Sequence, residues 1–127
     1  SGEEIRGGRA IVAEAPLDHL PLYVRGGSII ATEGVRQHTG ETGDGVLTLL
    51  VAPDETGAAE GELYADAGEG HGYRDGECYR VSLRFASGEL LAERLEGSRD
   101  HSRFSELRVR GVGGRDLVPS PSVADLP

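Results

Sequence analysis

The stretch ECYRVSLRFASGELLAERLE, Glu77 to Glu96, decides the fold class. Between Glu77 and Ala86, Tyr79, Val81, Leu83 and Phe85 share one face. Cys78, Arg80, Ser82 and Arg84 share the other. A period of two is what a strand with one buried face requires, because successive Cβ atoms point to opposite sides. Ser87-Gly88 then suits a tight hairpin turn. Glu89–Glu96 reads as the return strand, with Leu91 and Leu95 on one face; a short helix is the alternative reading of that run.

The same logic extends outward. RAIVAEA (residues 9–15) reads as a strand after the Gly7-Gly8 turn, and Pro16 ends it, since proline cannot donate to a sheet ladder. Pro21–Arg25 reads as a second short strand. Gly26-Gly27 permits a turn, and Ser28–Ala31 continues as a third. The apolar run VLTLLVA (residues 46–52) reads as a strand buried on both faces, closed by the turn chemistry of Pro53-Asp54-Glu55-Thr56-Gly57. Glu62–Asp66 is short and strand-like. AGEGHGYRDGE, which follows, holds too many glycines for a helix. Ser105–Val112 alternates again, with Leu107 and Val109 on one side and Arg108 and Arg110 on the other. The sum is seven or eight short strands and no convincing helix, which predicts an all-β, antiparallel β-sandwich.

Composition agrees and excludes several functions. The 127 residues include 20 glycines, as a turn-rich β protein needs, and 37% are hydrophobic, enough for a core. The formal net charge is -9, which argues against nucleic-acid binding and against anionic membrane surfaces, both of which call for a basic face. No apolar stretch approaches the roughly 18 residues of a membrane span. The single cysteine, Cys78, cannot form an internal disulfide, so the redox compartment is not indicated. Inside a regular strand it reads as a packing residue.

Chemistry-bearing patterns are sparse. His19, His38, His71 and His101 show no metal-ligand spacing. No serine sits in a nucleophile elbow. Gly68-x-Gly70-x-Gly72 lacks the lysine and following helix of a phosphate loop. Asp66 and Glu69 are carboxylates at a glycine turn, where such groups accept backbone N–H bonds. Tyr73, in a loop, is the best candidate for an exposed ring, and a ring capping the edge of the sandwich is the competing reading. No catalytic residue, metal or cofactor is indicated.

One run carries a resemblance. APLDHLPLYVRGGSII, Ala15 to Ile30, closely resembles the end of the proximal C-terminal β domain in family 31 of the glycoside hydrolases, the α-glucosidases, α-xylosidases and their relatives. That family runs there as an apolar strand, a Pro-Leu-Asp stretch, then Pro-Leu-(aromatic)-Val-Arg-Gly-Gly-Ser-Ile-Ile. Ser1-Gly2-Glu3 resembles the end of the preceding Trp-containing hairpin, so the tryptophans are expected upstream of residue 1. LTLLVAPDE, Leu47 to Glu55, is similar to the strand opening the distal C-terminal domain. ELYADAGEGHGYRDGECYRVSLRF is similar to the family's Tyr-Glu-Asp-Asp-Gly-Glu segment, but Ala65 and Ala67 stand in place of acidic residues and leave Asp66.

The resemblance implies residues 1–32 as the end of the proximal domain and 46–112 as the distal β-sandwich; the polar, Gly-rich run between them reads as a linker, 33–45, or a long surface loop, and 113–127 reads as a poorly ordered tail. The resemblance further implies that the family's catalytic acids lie on an upstream (β/α)8 barrel, which needs about 250 residues. The chain is therefore expected to be a non-catalytic piece of an enzyme that hydrolyses α-glycosidic bonds with retention. Its partners would be that barrel and the rest of the proximal domain. Candidate interdomain or sugar contacts are Asp18, Arg25, Asp66 and Tyr73. An autonomous carbohydrate-binding module that takes an oligosaccharide is the alternative.

Overall fold

The computed structural model describes residues 3–38, 40–41, 43–99, 103–113, 117 and 125–127. Its core element is the hairpin expected from the alternation: β4 (Tyr79–Ala86) and β5 (Glu89–Glu96). The turn between them uses two left-handed residues, Ser87 at φ 54° and Gly88 at φ 80°. Such turns match the right-handed twist of the paired strands. Four further strands complete a six-stranded sheet: β1 (Ser28–Thr32), β2 (Val46–Ala52), β3 (Ala59–Ala65) and β6 (Glu106–Gly111), in the order β5-β4-β3-β1-β2-β6. Among the described residues the one complete helical element is a single 3₁₀ turn, Gly72–Asp75. The protein is all-β, a curled sheet consistent with a β-sandwich fragment.

The sheet is mixed. β1–β2, β3–β4 and β4–β5 are antiparallel, whereas β1–β3 and β2–β6 are parallel. The reason is where β1 goes. β2 and β3 leave the turn at residues 53–58 in opposite directions, but they do not pair. β1 enters between them, matching Ser28 to Ala52 on one side and to Glu60 on the other. Strand alternation reveals which face is buried; it carries no information on such an insertion.

One face of the sheet is dry. Tyr79, Val81, Leu83, Leu47, Leu49 and Val51 are fully buried, joined by Ile29, Leu63, Phe85, Leu107 and Val109. Removing each such side chain from water contributes about 1.5–3 kcal/mol. The run VLTLLVA is not symmetric: Leu47, Leu49 and Val51 are buried, whereas Val46, Thr48 and Leu50 are only half-buried. In the return strand the inward residues are Leu90 and Ala92, while Leu91 and Leu95 face out, 65% and 49% exposed. A bulge opposite Arg80 and Val81 shifts the register there. Cys78 is buried just ahead of β4 as a free thiol.

Residues 3–27 contain no strand. Both runs read as strands, 9–15 and Pro21–Arg25, lie outside the sheet: most of their apolar residues are exposed, Val12 at 102% and Leu22 at 80%, with Val24 half-buried. A strand needs a neighbour to take its N–H and C=O groups, and no element of the described sheet lies beside them. Ser28–Thr32, expected at the end of the same proximal unit, is part of the sheet that holds the distal strands. Much of the expected tail, together with Ser1, Gly2 and His101, lies outside the described residues. Within the tail, Leu126 is buried in the core, and the Pro127 carbonyl accepts from the Arg94 guanidinium at 3.2 Å.

Candidate functional site

β3 sorts the four candidate residues by position. It spans about 20 Å at ~3.3 Å per residue, from the turn at residues 53–58 to Asp66. Arg25 is at the first end, next to Gly26, which abuts the Pro53 carbonyl and Asp54. Asp66 and Tyr73 are at the other end. Asp18 is exposed in a separate turn, where the His19 N–H donates to the Pro16 carbonyl at 2.9 Å. The structure brings Asp66 and Tyr73 to one region, and it leaves Asp18 and Arg25 apart from them.

At the Arg25 end the turn is built on Asp54. Its Oδ1 accepts from the Thr56 hydroxyl at 2.6 Å, the Thr56 N–H at 2.8 Å and the Ala58 N–H at 3.1 Å. These bonds, the Thr56 hydroxyl first, hold the carboxyl below its ordinary value. The chemistry here is structural: the carboxylate closes the chain that carries β2 into β3 around the start of β1.

At the far end, three outward residues follow each other along β3 and just past it: Glu62, Tyr64 and Asp66. Alternation places them on one side. The Tyr64 hydroxyl donates to Asp66 Oδ2 at 3.0 Å, and the Gly68 N–H donates to Oδ1 at 2.8 Å. Asp66 thus accepts the backbone bond that its glycine turn predicts. Partial desolvation, and after it the bond to Asp66, raises the Tyr64 hydroxyl above its ordinary value; Tyr73 is near enough to add to this. Tyr64 is 49% exposed and Tyr73 45%. Tyr73 lies in the 3₁₀ turn, with the His71 ring 6.2 Å away and the Arg74 guanidinium 5.7 Å from its centroid.

Glu62 is held from the neighbouring strand. Arg80 Nε donates to Oε1 at 2.6 Å and Nη2 to Oε2 at 3.0 Å, a two-point contact, and Nη1 reaches Glu96 on β5 at 3.1 Å. The guanidinium holds the Glu62 carboxyl below its ordinary range, and the two glutamates raise the guanidinium. An open depression of about 360 Å³ is lined by Ile30 of β1 and Glu33 just after it, by Glu62 and Tyr64 of β3, and by the buried Leu47 and Leu63. Glu33 is paired with both Arg36 and Arg103.

Sequence reasoning counts Tyr64 among the aromatic residues that could stack on a sugar but singles out Tyr73, and it passes over Glu62 and Arg80. A signal was present: the i, i+2 spacing of Glu62, Tyr64 and Asp66 on a strand. Among the described residues no group of three His, Cys, Asp or Glu side chains could hold a metal, and no helix is long and apolar enough to cross a membrane.

No protein-family model matches the chain. Individual proteins do. Lysosomal α-glucosidase of Bos taurus is 33% identical over 114 residues, 90% of this chain and 12% of that protein. An α-glucosidase of Mucor javanicus is 36% identical over 76 residues, 60% of this chain and 9% of that protein. Among solved structures, a family 31 α-xylosidase from Xanthomonas citri superimposes with a TM-score of 0.69 at 35% identity, covering 94% of this chain and 14% of that enzyme. A glucosidase II α subunit gives a TM-score of 0.57 at 25% identity over 77% of the chain. The chain spans about a tenth of the length of these relatives. In sequence and in fold, the chain is thus a relative of the glycosidases of family 31, matching a small fragment of them.

Proposed function

We propose that this chain is a non-catalytic C-terminal β-sandwich piece of a family 31 glycoside hydrolase, whose parent hydrolyses α-glycosidic bonds with retention on a separate barrel. Its own role is structural, to dock against that barrel and the remainder of the proximal β domain. One observation carries the reading. Residues 3–27 run without strand pairing and present Ile11, Val12, Leu17, Leu20 and Leu22 to solvent, in a chain that matches about a tenth of its relatives. Exposed apolar residues in such number mark a contact surface. On this reading the proximal part of the chain ends before Ser28, because Ser28–Thr32 lies between two strands of the distal sheet, and 33–45 joins two strands of that same sheet. Asp18 and Arg25, exposed on or beside that proximal part, serve as polar docking contacts.

Two carboxylates on the outward side of β3 are held by local bonds, which supports a structural role for them. Asp66 is committed to Tyr64 and Gly68, and Glu62 to Arg80. Incubating the chain with p-nitrophenyl α-glucoside and α-xyloside should release no nitrophenol above buffer. Turnover that saturates with substrate would overturn the non-catalytic reading.

A further inference from the structure

We propose that the end of the β4–β5 hairpin is a receptor for a short apolar peptide segment, and that residues 125–127 of this chain fill it as a strap on the dry face. The sign is a charged residue in an apolar row. On β5 the inward register runs Leu90, Ala92, Arg94, opposite Phe85, Leu83 and Val81. Alternation calls for a third apolar side chain at residue 94. An arginine in that row costs free energy unless its donors are met. The bulge follows at once: Arg80 faces Glu96, Leu95 is passed over, and the strand beyond Arg94 leaves the row. The row therefore ends on a guanidinium at its rim.

That guanidinium is held by the hairpin itself. Its Nη1 donates to the Gly97 carbonyl at 3.1 Å, and its carbon lies 5.1 Å from the centroid of the buried Tyr79 ring. The Gly97 end is fixed in turn. A Cβ at Gly97 would run into the Cys78 carbonyl, so no side chain separates the two backbones. The Ser98 N–H donates to the Gly76 carbonyl at 2.9 Å, and the Arg99 N–H to the Cys78 carbonyl at 3.0 Å. A planar fork set in place beforehand loses less freedom when a ligand arrives. Nη2 is left to meet an incoming acceptor, and it donates to the Pro127 carbonyl at 3.2 Å.

The segment brings one apolar knob and one acceptor. Leu126 is 4% exposed within the core cluster, while Asp125 and Pro127 on either side of it are exposed. Residues 125–127 belong to no strand, so they can leave without breaking the sheet ladder. Proline carries no N–H, and the residue that meets the Arg94 donor thus brings only an acceptor. The ligand class is accordingly a peptide with a leucine-sized side chain followed by a free backbone carbonyl. The inference stands on the hairpin and does not need the chain to be part of a glycosidase, so it holds or fails separately from the turnover assay above.

The test uses a ¹⁵N-labelled chain shortened to end at Ala124, titrated with the peptide Val-Ala-Asp-Leu-Pro, amidated so that its last carbonyl is kept. Saturable amide shifts should fall at Tyr79, Arg94 and Gly97. Arg94→Met should weaken binding about tenfold or more, the equivalent of ~1.4 kcal/mol. A peptide with alanine in place of its leucine should lose at least as much. If the shortened chain loses the dispersed spectrum of a folded sheet, Arg94→Met in the full chain replaces it. There the Leu126 resonances should move to random-coil positions while those of Leu83 stay in place. Absence of shifts at millimolar peptide, affinity unchanged by Arg94→Met, or Leu126 and Leu83 resonances collapsing together would each overturn the proposal.

Discussion

A Cβ on Gly61 would lie 2.3 Å from the Ile29 carbonyl oxygen and 2.9 Å from the Ile29 Cβ. Both neighbours belong to β1, and one is backbone, which has little freedom to retreat. The glycine is what allows β1 to seat between β2 and β3. Gly61→Ala should lower stability by about 1–3 kcal/mol, the usual range for forced overpacking. Urea unfolding of this variant beside Gly7→Ala, where nothing lies within 4 Å, measures it. Equal midpoints for the two variants would mean that β1 is not held against β3. The role of Gly61 is not legible in the sequence, where a glycine within a strand reads as a turn or a weakness. Tyr64 is a different case. Its partnership with Asp66 follows from i, i+2 spacing, which the strand-like run Glu62–Asp66 already contains, but Tyr73 stands out instead because its loop guarantees exposure.

At the level of elements, the alternating segments were readable and the segments without a partner were not. β4 shows its two faces because one is packed and the other is wet. RAIVAEA shows comparable β-forming residues, yet a strand is a relation between two segments, and this one has no neighbour in the described sheet. The return strand β5 is recognisable from the turn before it, whereas its facing is not, because Leu90 and Leu91 are adjacent and equally apolar and alternation alone does not say which points inward. The outer side of β3, β4 and β5 is tied by Arg80 to Glu62 and Glu96. Glu62 is depressed below the ordinary glutamate value of 4.5 in the folded chain. A depressed carboxyl stabilises the fold above its unfolded value, and that contribution is lost as pH falls through the folded value. Unfolding midpoints should therefore decline from just above pH 4.5 downward. Arg80→Met should flatten that decline, and an identical pH profile in this variant would show that the Glu62 contact contributes nothing.

For the whole molecule, the all-β class was legible from glycine spacing and alternation, and the mixed topology was not. Which strand lies beside which is decided by long-range packing, here the entry of β1 and the parallel seat of β6 on β2. The exposed leading segment belongs to this scale too. In hydrogen exchange on the isolated chain, amides of residues 3–25 should exchange rapidly, while those of Val81, Leu83 and Leu49 should be the slowest. Strong protection across 3–25 in a monomer would contradict a segment awaiting an external partner.

The parallel seat of β6 has a kinetic corollary. Its contacts join residues far apart in the chain: Ser105 meets Gly45 across 60 positions. The β4–β5 hairpin closes across the two residues of its turn. Loop closure must precede the reward of a distant contact, so the hairpin belongs early in refolding and β6 late. In stopped-flow experiments, Leu83→Ala should slow refolding, whereas Val109→Ala should chiefly accelerate unfolding. The reverse pattern would place the β2–β6 pair in the nucleus. With the hairpin as its seed and β6 as its latch, the sheet is assembled from its β5 side and locked from the opposite edge.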